Sequence, residues 1–259
     1  MVIEGLAPGR REWVSVLGAD RELASRLDGA RRARAQRASA AAVLRRQEGL
    51  WDATEDADQG RDGFGLFVVD GILVRRVGLE GRSGAELLSP GDVLQPWQHD
   101  GEAATLPFEA TWRVLSAVRL AVLDLRWAVR MAPFPEVAAE LTSRALLRSR
   151  RLASMLAIAH HHRLDDRLWL FFWELADRYG RVHPDGVHLE LPLTHELIGH
   201  LVGARRPSVS SALGRLERDG RVRRLGRGWL LLGSAPTLAE LEPAADHDEP
   251  SRGRAGDLL

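Results

Sequence analysis

Residues 193–233 read LTHELIGHLVGARRPSVSSALGRLERDGRVRRLGRGWLLLG. Thr194 is a good helix N-cap, because its hydroxyl can accept a hydrogen bond from an N–H group of the first turn. Gly203 interrupts the helical spacing of the apolar residues that follow, which are Leu197, Ile198, Leu201 and Val202. A second helix is predicted to begin near Pro207, whose fixed φ suits the first helical position, and to end at Gly220. Two short helices joined by a glycine-containing turn predict a helix-turn-helix.

The residues after the second helix predict a small β-hairpin. Residues 222–224 and 229–232 are short strand candidates, and Gly226-Arg227-Gly228 lies between them as a turn. A hairpin in this position is the wing of a winged helix-turn-helix.

The predicted outward side of the second helix carries arginine and serine, the residue types that contact phosphates and base edges, and no acid. With the cap and the wing added, the candidate DNA-binding residues are Thr194, Arg205, Arg206, Pro207, Ser208, Ser210, Ser211, Arg215 and Arg227. Residues 181–233 hold nine Arg against five acids, a net charge of +4, whereas residues 234–259 hold two Arg against six acids, a net charge of −4. The alternative interpretation is an ordinary helical hairpin with a solvated basic face.

This stretch resembles the winged helix of the Crp/Fnr family of bacterial transcription regulators. The family pattern is met by Thr194, Ile198, Gly199, Val202, Gly203, Arg206, Ser208, Val209, Ser210, Leu213 and Leu216. The resemblance implies that Arg206 reads a base and that Ser208 contacts a phosphate. The chain has Pro207 where the family often has Glu, and Ser211 where it often has Arg. We therefore expect a half-site sequence that differs from the one best known for the family.

Composition limits the possible functions. The chain has 259 residues and 45% hydrophobic content, enough for a packed core, but no apolar run of about 18 residues that would span a membrane. The N-terminus lacks the pattern of a signal peptide, so a cytoplasmic location is expected. Cysteine is absent, which excludes disulfides and Cys-ligated zinc or iron–sulfur clusters. All 36 basic residues are arginine, so only their placement is informative.

Short apolar runs with turn signals between them predict a small β-barrel or sandwich before residue 132. The predicted strands are residues 43–51, 64–69, 72–77, 85–88, 108–114 and 118–123. Asp70-Gly71 predicts a hairpin turn, and Ser89-Pro90-Gly91-Asp92 predicts another. Residues 1–28 are interpreted as a helical entry and residues 31–37 as a poor surface strand, while residues 38–42 fit helix or strand. This region also resembles the family, through residues 67–73, 85–92 and 121–124, which implies a double-stranded β-roll of the cyclic-nucleotide-binding type.

The segment that holds a cyclic nucleotide in such rolls departs from the family pattern. The family places Gly-Glu and then Arg-Ser/Thr-Ala here, with the Glu on the ribose and the Arg on the phosphate. This chain has Gly101-Glu102, but no Arg-Ser-Ala follows. Because an unpaired anion is costly to bury, we expect no cyclic AMP binding in the usual way. No other cofactor is predicted, and the effector is unknown.

Residues 136–160 predict a long helix with one apolar face, after a boundary at Pro133 and Pro135. The resemblance implies that this helix pairs with its twin in a homodimer, and the alternative is packing on its own β-roll. Residues 163–179 predict a further helix, and residues 187–191 predict a strand.

Two histidine patterns are rejected as metal sites. His160, His161 and His162 are consecutive and point about 100° apart on a helix. His195 and His200 are five residues apart, about 140° around a helix, instead of the four that a zinc-protease motif needs. No metal site and no catalytic constellation are predicted, so an enzyme is not expected.

The sequence thus predicts an α+β chain with an N-terminal double-stranded β-roll, a long dimerisation helix and a C-terminal winged helix-turn-helix. The predicted limits are residues 1–132, 133–162 and 163–233, followed by a disordered acidic tail at 234–259. The predicted partners are a palindromic double-stranded DNA operator, a second copy of the chain and, as a further candidate, RNA polymerase, with no membrane. The rival hypothesis is a ligand- or partner-binding protein that keeps the helix-turn-helix as a scaffold.

Overall fold

The computed structural model describes residues 12–56, 59–79, 82–96, 106 and 108–237. The strands are β1 Trp13–Ser15, β2 Ala40–Arg46, β3 Gly49–Trp51, β4 Gly65–Leu79, β5 Arg82–Leu88, β6 Val93–Leu94, β7 Glu109–Leu123, β8 Gly180–His183, β9 Gly186–Leu189, β10 Val222–Leu225 and β11 Gly228–Leu231. The helices are α1 Val16–Ala19, α2 Gly29–Ala38, α3 Leu125–Met131, α4 Pro135–Ala159, α5 Leu164–Tyr179, α6 His195–Val202 and α7 Arg206–Arg218.

An antiparallel sheet forms the N-terminal part of the chain, here named the sensor after its predicted role. Its order is β1-β2-β7-β4-β5, with β3 beside β7 and β6 beside β4. Apolar residues of the sheet and of the flanking helices fill two cores, one under α3 and the start of α4 and one within the roll. The predicted α+β class is confirmed.

The hairpin turn predicted at Asp70-Gly71 is wrong. β4 runs without interruption through both residues and pairs with β7 on either side of an irregularity in register. Gly71 has a φ of +87°, and a Cβ atom there would lie 2.3 Å from the carbonyl oxygen of Ala117. The glycine therefore makes a bulge that bends the strand, and it does not reverse the chain.

Two further strand predictions are wrong for related reasons. Residues 108–114 and 118–123 belong to one strand, β7, because β4 supplies a continuous partner for it. Residues 43–51 are divided between β2 and β3, which pair with β7 at separate places. A local pattern of apolar runs does not show how long a strand stays paired.

Residues 31–37 form part of a helix and not a strand. The Asp28 carboxylate accepts a hydrogen bond from the backbone N–H of Arg31 at 2.8 Å and caps α2. Alanine and arginine, which fill most of α2, are good helix formers. The helical entry predicted at residues 1–28 is described only in part, because residues 1–11 lie outside the described residues. The described part contains β1, α1 and a 3₁₀ turn at Arg21–Ala24.

The predicted long helix is confirmed as α4, and the helix at residues 163–179 is confirmed as α5. Val137 and Leu141, near the start of α4, are buried against the sensor core. Further along the same helix, four leucines are exposed in the single chain: Leu146, Leu147, Leu152 and Leu156. No helix among the described residues is long and apolar enough to cross a membrane.

The C-terminal module combines α5, α6 and α7 with a second sheet in the order β10-β11-β9-β8. The strand predicted at 187–191 corresponds to β9, and its partner β8 was not predicted. The predicted domain limits at residues 132 and 162 fall between α3 and α4 and between α4 and α5, and they stay predictions. Most of the predicted disordered tail, residues 238–259, lies outside the described residues.

Candidate nucleic-acid interface

α6 begins at the predicted N-cap. The Thr194 hydroxyl accepts a hydrogen bond from the Leu197 backbone N–H at 3.2 Å, and the helix ends at Gly203 in a left-handed conformation. A Cβ atom on Gly199 would lie 2.5 Å from the carbonyl oxygen of Ala204. Glycine at this position therefore allows the turn between the two helices to fold closely against α6.

α7 follows after this turn and confirms the second predicted helix. Its first residue is Arg206, so Pro207 occupies the second helical position, where its missing N–H removes no hydrogen bond. One side of α7 is buried in the module's core through Val209, Ala212, Leu213 and Leu216. Asp219 is the C-cap, and Gly220 follows it with a φ of +66°.

The N-terminus of α7 is open to a partner. Arg205 occupies the N-cap position and its side chain makes no capping hydrogen bond. The first N–H groups of a helix lack partners within the helix and favour a phosphate. Arg205, Arg206, Pro207 and Ser208 are all exposed around this end. The side chains of Arg205 and Arg206 form no ion pair within the described part of the chain, so both positive charges are available.

The remaining predicted contact residues on α7 are exposed and already hydrogen-bonded. The Ser210 and Ser211 hydroxyls donate to the helix carbonyls of Arg206 and Pro207, at 3.1 and 3.2 Å. Ser210 also lies 2.8 Å from Nδ1 of His195 on α6. Arg215 donates two hydrogen bonds to Asp165 on α5, at 2.7 and 2.6 Å, and this pairing lowers the pKa of the Asp165 carboxyl. Arg215 therefore joins α7 to α5 as well as facing solvent.

The predicted wing is confirmed as the hairpin of β10 and β11. Arg227 lies at its tip, and its side chain is 3.4 Å from Glu48 of the sensor. Arg224 packs over the buried Trp229 ring at 4.6 Å and donates to the carbonyl oxygen of Leu193 at 3.0 Å. Arg224 thus fixes the wing to the start of α6, while the exposed Arg223 was not predicted as a contact residue.

One positioning residue was missed by sequence reasoning. Arg167 on α5 donates to the carbonyl oxygen of Val202 at 3.1 Å, at the end of α6. It also donates to the carbonyl oxygen of His161 at 2.7 Å, in the connection from α4. The positive charge at the C-terminal end of α6 stabilises the helix and fixes its direction. No local motif marks such a residue, because its partners are carbonyl groups distant in sequence.

Comparison with known proteins identifies this module. A family model described as the Crp-like helix-turn-helix domain matches residues 166–241, which span α5 to the wing. Regulatory protein CysR of Synechococcus elongatus is 27% identical over 143 residues, which cover 52% of this chain and 69% of CysR. Residues 166–241 thus form a Crp-like helix-turn-helix domain, and the chain is a transcription regulator that carries this domain.

Solved structures show that the likeness in fold extends to the sensor of this regulator. A CooA mutant from Carboxydothermus hydrogenoformans superposes with a TM-score of 0.56 at 18% identity, over 74% of this chain and 84% of CooA. A CRP-family transcriptional regulator from Thermus thermophilus gives a TM-score of 0.53 at 21% identity, over 73% and 92% of the two chains. At these identities the comparison shows a shared architecture.

The sensor of the regulator holds a charge cluster around a buried carboxylate where α4 crosses the roll. Glu86 on β5 is buried and accepts hydrogen bonds from Arg148 of α4 at 2.6 and 3.1 Å. Arg75 on β4 lies 2.6 Å from the same carboxylate. Burial lowers the pKa of Arg75, the Glu86 carboxylate raises it, and the nearby Arg148 lowers it further. Both arginines also line a cavity of about 270 Å³ between the roll and α4.

The DNA-binding module rests directly on the sensor. Val74 of β4 belongs to the same apolar core as α5, α6 and α7. Nδ1 of His200 on α6 lies 3.1 Å from the Ser83 hydroxyl of β5, to which Arg76 also donates at 3.2 Å. Burial and then the Arg76 charge lower the pKa of His200, against the opposing effects of Glu196 and Ser83. His195 and His200 therefore make separate contacts, with Ser210 and with Ser83.

Proposed function

We propose that the regulator binds a palindromic operator as a homodimer, with α7 in the major groove and Arg206 on a base edge. The open, uncompensated positive charge at the N-terminus of α7 is the observation that carries this proposal. Arg205 and the free N–H groups of the first turn would hold a phosphate, and Ser208 lies beside them. The Arg227 side chain would contact the DNA backbone from the wing.

The exposed leucines of α4 support the homodimer. Leu146 and Leu156, ten residues apart on this helix of 25 residues, lie within about 80° of each other around its axis, whereas Leu147 lies on the side opposite Leu156. A second copy that packed the same face would remove this apolar surface from water. The two-fold symmetry of such a dimer predicts half-sites about one helical turn of DNA apart.

We also propose that the sensor works without a cyclic nucleotide bound in the usual way. Arg75 and Arg148 line the cavity between the roll and α4, but both are already paired with the Glu86 carboxylate, which offsets one of their two positive charges. A cyclic phosphate there would meet a carboxylate and two occupied guanidinium groups. Gly101-Glu102 lies outside the described residues, so this proposal is carried by the charge cluster alone.

This function places the regulator in the cytoplasm, in contact with DNA and with RNA polymerase as a further partner. Its role would be regulatory, and the match of residues 166–241 to the Crp-like helix-turn-helix domain supports this. Under the scaffold hypothesis, no anionic partner would bind the exposed positive charge at the N-terminus of α7.

The salt dependence of DNA binding tests the proposal. Fluorescence anisotropy of the full chain with labelled duplex DNA should show affinity falling steeply between 50 and 200 mM salt, with a slope of about −0.9 per phosphate contact. Sedimentation of the same sample should show a dimer. Affinity that does not change with salt, or a monomer bound to its DNA, would contradict the proposed mode of binding.

A further inference from the structure

Two adjoining cavities lie where the sensor, α4 and α5 meet, and they share Arg151 and Arg178. The smaller cavity, of about 70 Å³, is mainly apolar, with Leu87, Leu152, Met155 and Leu175 in its wall. The larger, of about 230 Å³, is polar. An apolar space that opens into a charged one suits a ligand with a short apolar body and one polar end.

The arginines of these cavities differ in their pairing. Arg148 is bound to Glu86, Arg178 lies 2.7 Å from Asp92, and Arg144 is paired with Asp20. Arg151, which is half-buried, forms no hydrogen bond or ion pair with the residues that the structure describes. Its guanidinium group is therefore available to pair with an anionic ligand.

The surroundings restrict the charge of the ligand. The carboxylates of Glu22, Glu140 and Glu174 also line the two cavities. Glu22 and Glu140 are paired with Arg144, whereas Glu174 forms no ion pair among the described residues. Arg151 can offset one negative charge of a ligand, and the Glu174 carboxylate would repel a second one. A phosphate dianion is therefore disfavoured, whereas a single carboxylate matches the planar guanidinium of Arg151.

The volume restricts the size of the ligand. An apolar cavity of about 150 Å³ holds benzene, and the apolar cavity here has about 70 Å³, less than half that volume. It has room for three or four carbon atoms. We propose that a short-chain carboxylate of about five carbons binds here, with its carboxylate on Arg151 and its tail between Leu152 and Leu175.

This position would couple the ligand to DNA binding. The site is built from β5 of the sensor, from α4 and from α5 of the DNA-binding module, so its occupancy depends on how these parts are arranged. A ligand that prefers one arrangement changes DNA affinity by linkage. This last step, unlike binding itself, rests on the proposed DNA-binding function.

Isothermal titration calorimetry of the full chain with sodium pentanoate tests the site. We expect a dissociation constant of about 1 mM or lower. Loss of a charge-assisted hydrogen bond in Arg151→Met should weaken binding about tenfold or more, whereas Arg150→Met, on an exposed neighbour, should leave it unchanged. Neutral pentanamide should bind the wild-type chain about tenfold more weakly.

Three results would overturn the site: no pentanoate binding, equal binding by both variants, or equal binding of the amide. Anisotropy with DNA, with and without pentanoate, then separates the two proposals. Pentanoate binding that leaves DNA affinity unchanged would contradict the coupling only. Absence of any DNA binding would contradict the proposed function and leave the calorimetric result for the site standing.

Discussion

Arginine has opposite uses in two regions of this molecule. Where α4 crosses the sensor, Arg75 and Arg148 share the buried carboxylate of Glu86. At the start of α7, Arg205 and Arg206 are exposed and form no ion pair within the described residues. The chain has no lysine, so the residue type is the same and only its surroundings differ.

This difference separates structural charge from functional charge. A guanidinium that is paired and mostly buried contributes to the folded state, and removing its partner leaves a charge with little access to solvent. A guanidinium that is exposed and unpaired adds little to folding and stays available to an anion. Substitutions in the first region should therefore affect stability, and substitutions in the second should affect DNA binding.

The largest effect is expected for Glu86→Gln. Removal of the carboxylate leaves Arg75 and Arg148 facing each other without compensation, so the free energy of unfolding should fall by roughly 3 kcal/mol. Urea unfolding measures this change. The matched control is Glu190→Gln, because Glu190 pairs with Arg181 at the surface, with side chains 71% and 70% exposed. Its loss should be below about 0.5 kcal/mol. An equal loss of unfolding free energy in the two variants would contradict the distinction between the Glu86 cluster and an exposed ion pair.

Arg206→Ala should leave urea unfolding unchanged and reduce discrimination between operator and random DNA by about 1–3 kcal/mol. The reason is that Arg206 is exposed on the first turn of α7 and its side chain forms no ion pair with the residues that the structure describes. Arg126→Ala, which removes an exposed arginine from α3 of the sensor, is the control and should keep full discrimination. Unchanged discrimination in Arg206→Ala would refute the base-reading role.

Arg215→Ala sharpens the comparison, since Arg215 is paired with Asp165 and also exposed. We expect slightly lower stability, and a small loss of affinity that is equal for operator and random DNA. Anisotropy with both duplexes measures this. A selective loss on the operator would instead show that Arg215 leaves Asp165 to read a base.

The smallest effect concerns pH. The pKa of His200 is lowered in the folded chain, so the unfolded chain takes up a proton first, near its ordinary value of about 6.5. The contribution of neutral His200 to the free energy of unfolding is therefore fully present above this pH. It decreases as the pH falls through this value. Urea midpoints between pH 8 and 5.5 should decrease less in His200→Gln than in the wild type. An identical decrease would show that His200 does not titrate in this way.

The sequence predicted the C-terminal module well because its signals are local. Thr194 as a cap, the break at Gly203 and the turn before Trp229 each act within one or two helical turns of chain. The sensor depends on pairing between distant segments, and Asp70-Gly71 has the composition of a hairpin turn although β7 holds it in a continuous strand. The Glu86–Arg148 pair joins residues 62 positions apart, so no local pattern could predict it.

Selection of bound sequences from random duplex DNA, with and without cyclic AMP, tests the account most directly. We predict enrichment of one palindromic motif, with half-sites about one turn apart, and the same motif in both conditions. Failure to enrich any motif would contradict the role of α7. A motif that appears only with cyclic AMP would contradict the interpretation of the sensor, in which Glu86 already occupies the two arginines that face the cavity.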